Sequence, residues 1–227
     1  MPRRDIRYLN GHLPQPGRYF WFMHRLARRV WPWFGSLAVE GKQHVPLTGP
    51  FLLISNHQSV LDPFFIETFI DRPVHQMAKS TQFASPLFAR AMRGCYAYPV
   101  RRFQVDPTAV RYTLRRLAEG DPVHIYIEGE RTWDGTLQPP RPGTVRIALK
   151  AGVPIVPCAI DGSYDVWPRW DRAARAADVR VAFGKPFLLP QLHHRTDRER
   201  ALPHAADRIM GAIAALLGVP PTRLADD

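Results

Sequence analysis

The sequence contains few cysteines and no long uninterrupted apolar run. Cys95 and Cys158 are the only cysteines, and both stand among apolar residues. This argues against a disulfide framework or a cysteine-based metal site, and it favours a reducing compartment. No run of about 18 apolar residues occurs, so we expect no helix that spans a membrane. The first residues also lack the apolar core of a secretory signal.

Negative charge is scarce relative to positive charge. The 227 residues include 31 Lys and Arg against 20 Asp and Glu, a formal net charge of +11. Arginine supplies nearly all of the positive charge, and it favours bidentate contacts with phosphate groups. This balance indicates an anionic partner, which is nucleic acid, an acidic membrane surface or a phosphorylated substrate. We find no nucleic-acid recognition motif and therefore expect no nucleic-acid partner.

Residues Arg18 to Leu37 form an amphipathic pattern. Apolar residues recur at three- and four-residue intervals and predict one stripe: Tyr19, Phe22, Met23, Leu26, Val30, Trp33, Phe34 and Leu37. The opposite face is predicted to carry arginines flanked by tryptophans: Arg18, Arg25, Arg28, Arg29, Trp21 and Trp31. Pro32 predicts two short helices in place of one. Such a pattern is typical of a helix in the interface of an anionic membrane, and the alternative is a helix packed on the protein's own core.

Short apolar runs alternate with helical patterns over the rest of the chain. The predicted strands are 51–54, 74–78, 96–100, 123–127, 155–160 and 179–183. Helices are predicted to begin at Asp62 and Asp106, to cover about 144–150, and to end at Gly218. This alternation predicts a single α/β domain at 46–227, with a mostly parallel sheet flanked by helices. Residues 1–45 are predicted to form an amino-terminal helical segment for membrane association.

His57 and Asp62 form the most informative pair in the sequence. A histidine is suited to taking a proton from a hydroxyl, because its reference pKa is about 6.5. A carboxylate that accepts the other ring N–H fixes the tautomer and stabilises the imidazolium. The pair follows the predicted strand 51–54, and Asp62-Pro63 is typical of a helix cap followed by proline. The alternative is that Asp62 only caps the helix and His57 is a surface residue.

Charged residues also follow two other predicted strands. Arg101 and Arg102 come after strand 96–100, whereas Glu128, Gly129 and Arg131 come after strand 123–127. The carboxyl ends of parallel strands share one edge of a sheet, so these segments are predicted to meet His57 there. Arginines at that edge would bind phosphate through paired N–H donors. The alternative is a set of solvated loop charges.

Four segments in this order resemble the glycerophospholipid acyltransferase family. Asn56–Asp62 resembles its Asn-His-x-x-x-x-Asp block, and Tyr98–Arg102 its second block. Glu128–Arg131 resembles the third block, usually Glu-Gly-Thr-Arg, and Val153–Pro157 resembles the proline-containing fourth block. Four ordered blocks are more specific than any single one.

The resemblance implies transfer of a fatty acyl group from acyl-CoA or acyl carrier protein to a lysophospholipid hydroxyl. The expected acceptor is 1-acyl-sn-glycerol-3-phosphate, which would give phosphatidic acid. It implies that His57 is the general base and that Asp62 orients it. It also implies a substrate-binding set: Lys79, Arg101, Arg102, Glu128, Gly129 and Arg131. No metal and no cofactor beyond the acyl donor are expected, and the expected location is the cytoplasmic face of the membrane, as a peripheral or monotopic protein.

Two residues depart from the family pattern. Glu130 replaces the usual threonine, and its carboxylate would repel a phosphate unless a neighbouring cation neutralised it. Glu130 is therefore expected to face solvent or to bind an amine-bearing acceptor. Tyr96 stands where the second block often has glycine. The remaining alternatives are a different lysolipid acceptor, a lipid thioesterase or hydrolase, and a basic membrane-binding protein without activity.

Overall fold

A computed structural model describes residues 17–102, 104 and 106–224. Within this part of the chain, seven strands form one sheet in the order β1-β7-β6-β2-β5-β3-β4. Neighbouring strands run parallel except β6 and β7, which are antiparallel. The strands are β1 (Leu37–Glu40), β2 (Leu52–Ser55), β3 (His75–Lys79), β4 (Ala97–Val100), β5 (Val123–Tyr126), β6 (Ile155–Asp161) and β7 (Val179–Phe183). The predicted α/β fold with a mostly parallel sheet is confirmed.

Prolines mark where many of the helices begin. Pro63, Pro86, Pro107 and Pro142 each lie in the first turn of a helix, where the missing N–H would have no helical partner. The helices are α1 (Arg18–Val30), α2 (Asp62–Glu67), α3 (Pro86–Gly94), α4 (Pro107–Ala118), α5 (Pro142–Ala151), α6 (Ser163–Val166) and α7 (Arg195–Leu217). Short 3-10 helices cover Trp31–Phe34, Lys42–His44 and Ser80–Phe83. No helix in the described ranges is long and apolar enough to cross a bilayer.

Side chains of β2 enter two cores on opposite faces of the sheet. Leu52 and Ile54 pack in a cluster with residues of α4, α5 and α7, whereas Leu53 packs with Phe65 of α2 on the other face. This alternation follows from the two-residue period of a strand. Because both faces are covered, β2 is a continuous apolar run, as is usual for a central parallel strand.

The amino-terminal segment agrees with its prediction at Pro32 and differs from it at its carboxyl boundary. The break at Pro32 is present, since α1 ends at Val30 and a 3-10 helix follows. Leu37, however, begins β1, which pairs with β7, so the sheet begins before the predicted boundary at residue 45. Residues 1–16 and 225–227, together with the side chain of Phe34, lie outside the described part.

The predicted stripe on α1 is also only partly correct. Phe22 and Leu26 are exposed, but Phe20 and His24 form the face that packs on the protein. Trp31 is buried and stacks on Phe65, with 3.4 Å between ring centroids, so it does not flank an exposed face. A surface helix with one docked face and one partly apolar exposed face results.

Candidate active site

His57 and Asp62 meet at the carboxyl edge of β2. Nδ1 of His57 lies 2.7 Å from Oδ2 of Asp62, and both side chains are buried. The same Oδ2 accepts hydrogen bonds from the backbone N–H groups of Gln58 (2.7 Å) and Ser59 (2.9 Å). Ser163 donates its hydroxyl to Oδ1 at 2.6 Å. The carboxylate is thus held by donors on three sides, and its orientation toward His57 is fixed.

The prediction that Asp62 is a helix cap is wrong. Leu61 occupies the cap position of α2, and Asp62 is the first helical residue. Its side chain turns back to the amides of Gln58 and Ser59 in the preceding loop, where it also reaches His57. The carboxylate therefore closes the loop around the histidine.

His57 is set up to accept a proton. Burial lowers its pKa below the usual histidine value, the Asp62 carboxylate opposes this, and the Arg102 and Arg131 cations lower it further. The imidazole is therefore neutral near pH 7. Because Nδ1 lies against Asp62 and the ring lines a cavity, Nε2 is the nitrogen available to a substrate.

The ring of Tyr126 forms the floor under His57. The two rings are 3.7 Å apart between centroids and tilted by 13°. The Tyr126 hydroxyl accepts a hydrogen bond from Nε2 of Gln76 at 3.3 Å. Sequence reasoning placed Tyr126 in a strand but did not identify it as a site residue, because strand periodicity does not reveal which face carries the site.

Glu128 positions the His57 loop and does not line the cavity, in contrast to the sequence prediction. It is buried, its Oε2 accepts from the backbone N–H of His57 at 3.0 Å, and its Oε1 accepts from that of Gln138 at 3.0 Å. Burial raises the pKa of Glu128 to about 8. The neighbouring Thr132 donates its backbone N–H to the carbonyl of His57 at 2.8 Å. The loops after β2 and β5 are thereby joined.

Asn56 and Ser163 connect the same loop to β6. The side chain of Asn56 donates to the carbonyl of Ile160 at 2.8 Å and accepts from its N–H at 2.9 Å. Ser163 follows the end of β6 and reaches Asp62 across 101 residues of sequence. The expectation that strand ends converge at one edge would have pointed to Ser163, had it been applied to the strand 155–160.

Two arginines line the cavity beside His57, as the strand-end prediction requires. Arg102 and Arg131 are partly buried, and burial is the main cause that lowers both pKa values, reinforced by repulsion from neighbouring arginines. Among the described residues, no carboxylate lies within ion-pair distance of either one. Lys79 also lines the cavity and is exposed. These three cations have their charge available to an anionic ligand.

Arg101 and Gly129 serve the backbone near the site. Arg101 faces Asp106, which accepts from its backbone N–H at 3.0 Å and from its Nε at 3.3 Å, and it does not line the cavity. The structure therefore favours Arg102 over Arg101 as the ligand-facing arginine. Gly129 has a φ of +74°, and a Cβ there would lie 2.8 Å from Cγ of Arg141. Gly129 therefore permits the turn after β5.

Glu130 is paired with two arginines. It lies 2.9 Å from Arg141 and 3.3 Å from Arg169. Arg169 also donates to the carbonyl of Arg131 at 3.0 Å, and its guanidinium stacks 3.4 Å from the ring centroid of Trp133. The repulsion expected from Glu130 is thus balanced within the protein. Sequence reasoning missed Arg169 because it lies outside any strand end, 39 residues from Glu130.

A cavity of about 510 Å³ extends from His57 between the sheet edge and three helices. Its lining is largely apolar and includes residues of α1, α2 and α3: Tyr19, Phe20, Met23, Ala27, Pro63, Phe64, Phe88, Ala91 and Met92. Helix α1 is held as one wall, because Arg28 donates to the carbonyl of Thr68 at 2.9 Å and His24 contacts that of Ile70 at 3.2 Å. The amino-terminal helix is therefore part of the site.

Tyr96 adopts a glycine-like backbone conformation at the second-block position where the family often has glycine. Its φ is 63°, the left-handed region that glycine adopts most easily. The ring packs edge-on against Phe20 of α1 at 5.4 Å and against His75 at 5.2 Å. The contacts with Phe20 and His75 offset the backbone strain, and they join α1 to the sheet.

Known acyltransferases are similar to this chain in fold and in sequence. The fold is similar to the crystal structure of the 1-acyl-sn-glycerophosphate acyltransferase of Thermotoga maritima, with a TM-score of 0.67 at 20% identity over 85% of this chain and 78% of that chain. A chloroplastic 1-acyl-sn-glycerol-3-phosphate acyltransferase of Brassica napus is 29% identical over 181 residues, which are 75% of this chain and 52% of the relative. The enzyme of that name from Bacillus subtilis is 24% identical over 167 residues, 73% of this chain and 81% of the relative.

The chain spans about half the length of the plant relatives it matches. The family model described as Acyltransferase matches residues 36–161, which are more than half of the 227 residues and contain His57, Asp62 and the two cavity-lining arginines. The resemblance in sequence is thereby confirmed, and the chain belongs to the acyltransferase family.

Proposed function

We propose that this protein transfers a fatty acyl group from a thioester to the hydroxyl of a lysophospholipid, with 1-acyl-sn-glycerol-3-phosphate as the acceptor. One observation carries the proposal. The buried His57–Asp62 pair lies where an apolar cavity meets two arginines without a carboxylate partner among the described residues. The acyl chain would lie in the apolar cavity, the acceptor hydroxyl beside the His57 imidazole, and the phosphate against the two arginines.

The dyad supports direct transfer without an enzyme-bound intermediate. Nε2 of His57 takes the proton of the acceptor hydroxyl as its oxygen attacks the thioester carbonyl carbon. The tetrahedral intermediate collapses, the C–S bond breaks, and the imidazolium returns its proton to the leaving thiolate. Asp62 stabilises the imidazolium between these steps through the 2.7 Å contact with Nδ1. The products are an ester and a thiol, and the histidine ends neutral.

The acyl chain is proposed to occupy the cavity of about 510 Å³ behind His57. Its size lies in the range of ordinary ligand pockets, roughly 300–1,000 Å³. Transfer of methylene groups from water into such a space contributes about 0.8 kcal/mol each. The thioester would then lie beside the imidazole at the open end.

The acceptor phosphate is proposed to bind Arg102 and Arg131, with Lys79 as a further cation. The relatives from Brassica napus and Bacillus subtilis bear the name of an enzyme that acts on 1-acyl-sn-glycerol-3-phosphate, which supports a phosphate monoester as the acceptor. Because Glu130 is paired with Arg141 and Arg169, its carboxylate charge is balanced and does not argue against an anionic acceptor.

We further propose that the protein works on an anionic membrane surface at the cytoplasmic face. Apolar side chains of α1, of the 3-10 helix that follows it and of α3 are exposed: Phe22 57%, Trp33 78%, Leu87 80% and Phe88 50%. On α1, three arginines are also exposed: Arg18, Arg25 and Arg29. Because α1 and α3 also form walls of the cavity, a lipid acceptor would reach His57 without crossing water.

The proposal is tested by incubating the protein with a long-chain acyl thioester and separating the lipid products. Conversion of 1-acyl-sn-glycerol-3-phosphate to phosphatidic acid supports it. Free fatty acid released at the same rate with and without acceptor would instead identify a thioesterase. Preferential acylation of an amine-bearing lysolipid would overturn the assignment of the acceptor and retain the transfer chemistry.

A further inference from the structure

A carboxylic acid lies inside the cavity that is otherwise largely apolar. Glu67, the last residue of α2, lines this cavity with 17% of its side chain exposed. Its Oε1 is 3.1 Å from Nδ1 of His124. Among the described residues, Oε2 has no hydrogen-bond partner. The acyltransferase chemistry described above makes no use of this group.

Burial disfavours the charged forms of both Glu67 and His124. Burial raises the pKa of Glu67 well above its ordinary value, and burial lowers the pKa of His124 to about 3. The other ring nitrogen of His124, Nε2, is engaged by Ser55 Oγ at 2.9 Å. Both nitrogens of His124 are therefore occupied, and the remaining hydrogen-bonding capacity of the Glu67 carboxyl faces the cavity.

Gln76 adds a second polar group beside the same histidine. It pairs in register with His124 across β3 and β5, which places both residues on one face of the sheet. One end of its amide donates to the Tyr126 hydroxyl at 3.3 Å, and the other end has no partner among the described residues. Gln76 also lines the cavity. Glu67 and Gln76, here called the polar strip, thus offer a donor and an acceptor from two different elements.

The polar strip lies deeper in the cavity than the reacting atoms. Glu67 follows Asp62 by five residues of helix, a rise of about 7.5 Å. His124 precedes Tyr126, the floor under His57, by two residues of strand, about 7 Å. The ring of Tyr126 lies between the two sites, 4.5 Å from that of His124 and 3.7 Å from that of His57, so the strip lies a few carbons beyond the thioester of a bound acyl chain.

We infer that the polar strip is a subsite for an acyl chain that carries a hydroxyl group in its middle portion. The hydroxyl oxygen accepts a hydrogen bond from the carboxyl group of Glu67, and the hydroxyl donates its hydrogen to the amide oxygen of Gln76. An unsubstituted chain would leave both groups buried without partners, which is unfavourable. The inference rests on the proposed function, because it requires the acyl chain to occupy this cavity.

The test compares hexadecanoyl thioesters that carry one hydroxyl at each carbon in turn with the unsubstituted donor. For the unmodified protein, we expect kcat/KM to be highest for a mid-chain position. Glu67→Leu should lower the ratio of hydroxylated to unsubstituted kcat/KM about tenfold or more, since it removes one hydrogen bond and leaves the hydroxyl unpaired. Glu67→Gln retains a donor and an acceptor and should preserve the preference for the same position.

Gln76→Leu is the second variant and should lower the same ratio even if Glu67→Leu does not fold. Glu199→Leu, an exposed carboxylate on α7, is the matched control and should leave the ratio unchanged. Equal ratios at every hydroxyl position in the unmodified protein would overturn the inference and leave the proposed function standing. Absence of transfer from every donor would overturn both.

Discussion

The ring of Tyr126 lies 3.7 Å from that of His57 and nearly parallel to it. Asp62 holds one ring nitrogen, and Tyr126 supports the ring from one face. Tyr126 belongs to β5, so the orientation of the base is tied to the centre of the sheet and not to a loop. A rigid base of this kind matches the need of general-base catalysis for a defined attack geometry.

The acid limb of the pH–activity profile reports on His57. Its pKa is lowered by burial and by nearby cations, so kcat/KM should reach half its maximum below about pH 6.5, the ordinary histidine value. The neutral base is lost as pH falls through this folded-state pKa. Arg102→Gln removes one of the cations, and the limb should move to higher pH. A limb that moves to lower pH in this variant would contradict the electrostatic assignment.

Ser163 is expected to act through Asp62. Ser163→Ala removes a hydrogen bond to a buried carboxylate, an interaction worth roughly 1.5–3 kcal/mol, and should reduce kcat about tenfold or more. The matched control is Ser36→Ala, because Ser36 also donates to a carboxylate at 2.6 Å, that of Asp178, at the start of β1 and away from the site. Equal kcat values for the two variants would show that Ser163 does not support catalysis.

Arg102 and Arg101 differ in role although they are adjacent. Arg102→Ala should raise the acceptor KM about tenfold or more, because it removes a charge-assisted contact with the phosphate. Arg101→Ala should leave that KM within about twofold, since an exposed pair such as Arg101–Asp106 contributes little. Steady-state kinetics with a fixed acyl donor measures both. A larger effect at Arg101 would reverse the assignment.

Glu128 links stability to pH. Its folded pKa of about 8 lies above the unfolded value of 4.5, so the folded state keeps a proton that the unfolded state loses as pH rises. This contribution to the free energy of unfolding is fully present below pH 4.5 and falls by a few kcal/mol by about pH 8. The glutamine side chain of Glu128→Gln does not titrate. Denaturant melts should therefore show that the free energy of unfolding of this variant rises relative to that of the unmodified protein between pH 4.5 and about pH 8. A constant difference between the two proteins would contradict the raised pKa.

The exposed apolar surface of α3 should contribute to membrane binding. Leu87→Ser should weaken flotation with anionic vesicles, because Leu87 is 80% exposed beside the cavity wall. Leu47→Ser is the matched control, since Leu47 is equally exposed but precedes β2 at the opposite edge of the sheet. Binding of the unmodified protein should also fall with added salt. Equal flotation of the two variants would indicate that this face does not contact lipid.

The sequence was sufficient for the residues that follow strands. The convergence of His57, Arg102 and Arg131 is predictable because strand ends in a parallel sheet share an edge, and that rule needs only the order of apolar runs. Asp62 was found as the partner of His57, but its place in α2 was misjudged because Asp-Pro is also a typical cap pattern.

Residues that reach the site from inside an element were not predictable in this way. Tyr126 and Glu67 are a strand and a helix residue whose side chains happen to face the cavity. Arg169 reaches the site through Glu130, a contact between segments with no shared pattern. The periodicity of α1 predicts an amphipathic helix but does not reveal that its buried face closes the cavity. Pairings between distant segments depend on packing, which a single sequence does not encode locally.

The central claim is that His57 is the base for transfer to a lysophospholipid hydroxyl. The most direct measurement is thiol release from a long-chain acyl-CoA, with and without 1-acyl-sn-glycerol-3-phosphate, for the unmodified protein, His57→Ala and the exposed control His204→Ala. The account predicts acceptor-dependent release that falls by about 10²–10⁴-fold in His57→Ala and is retained in His204→Ala. Acceptor-dependent release that persists in His57→Ala would contradict it.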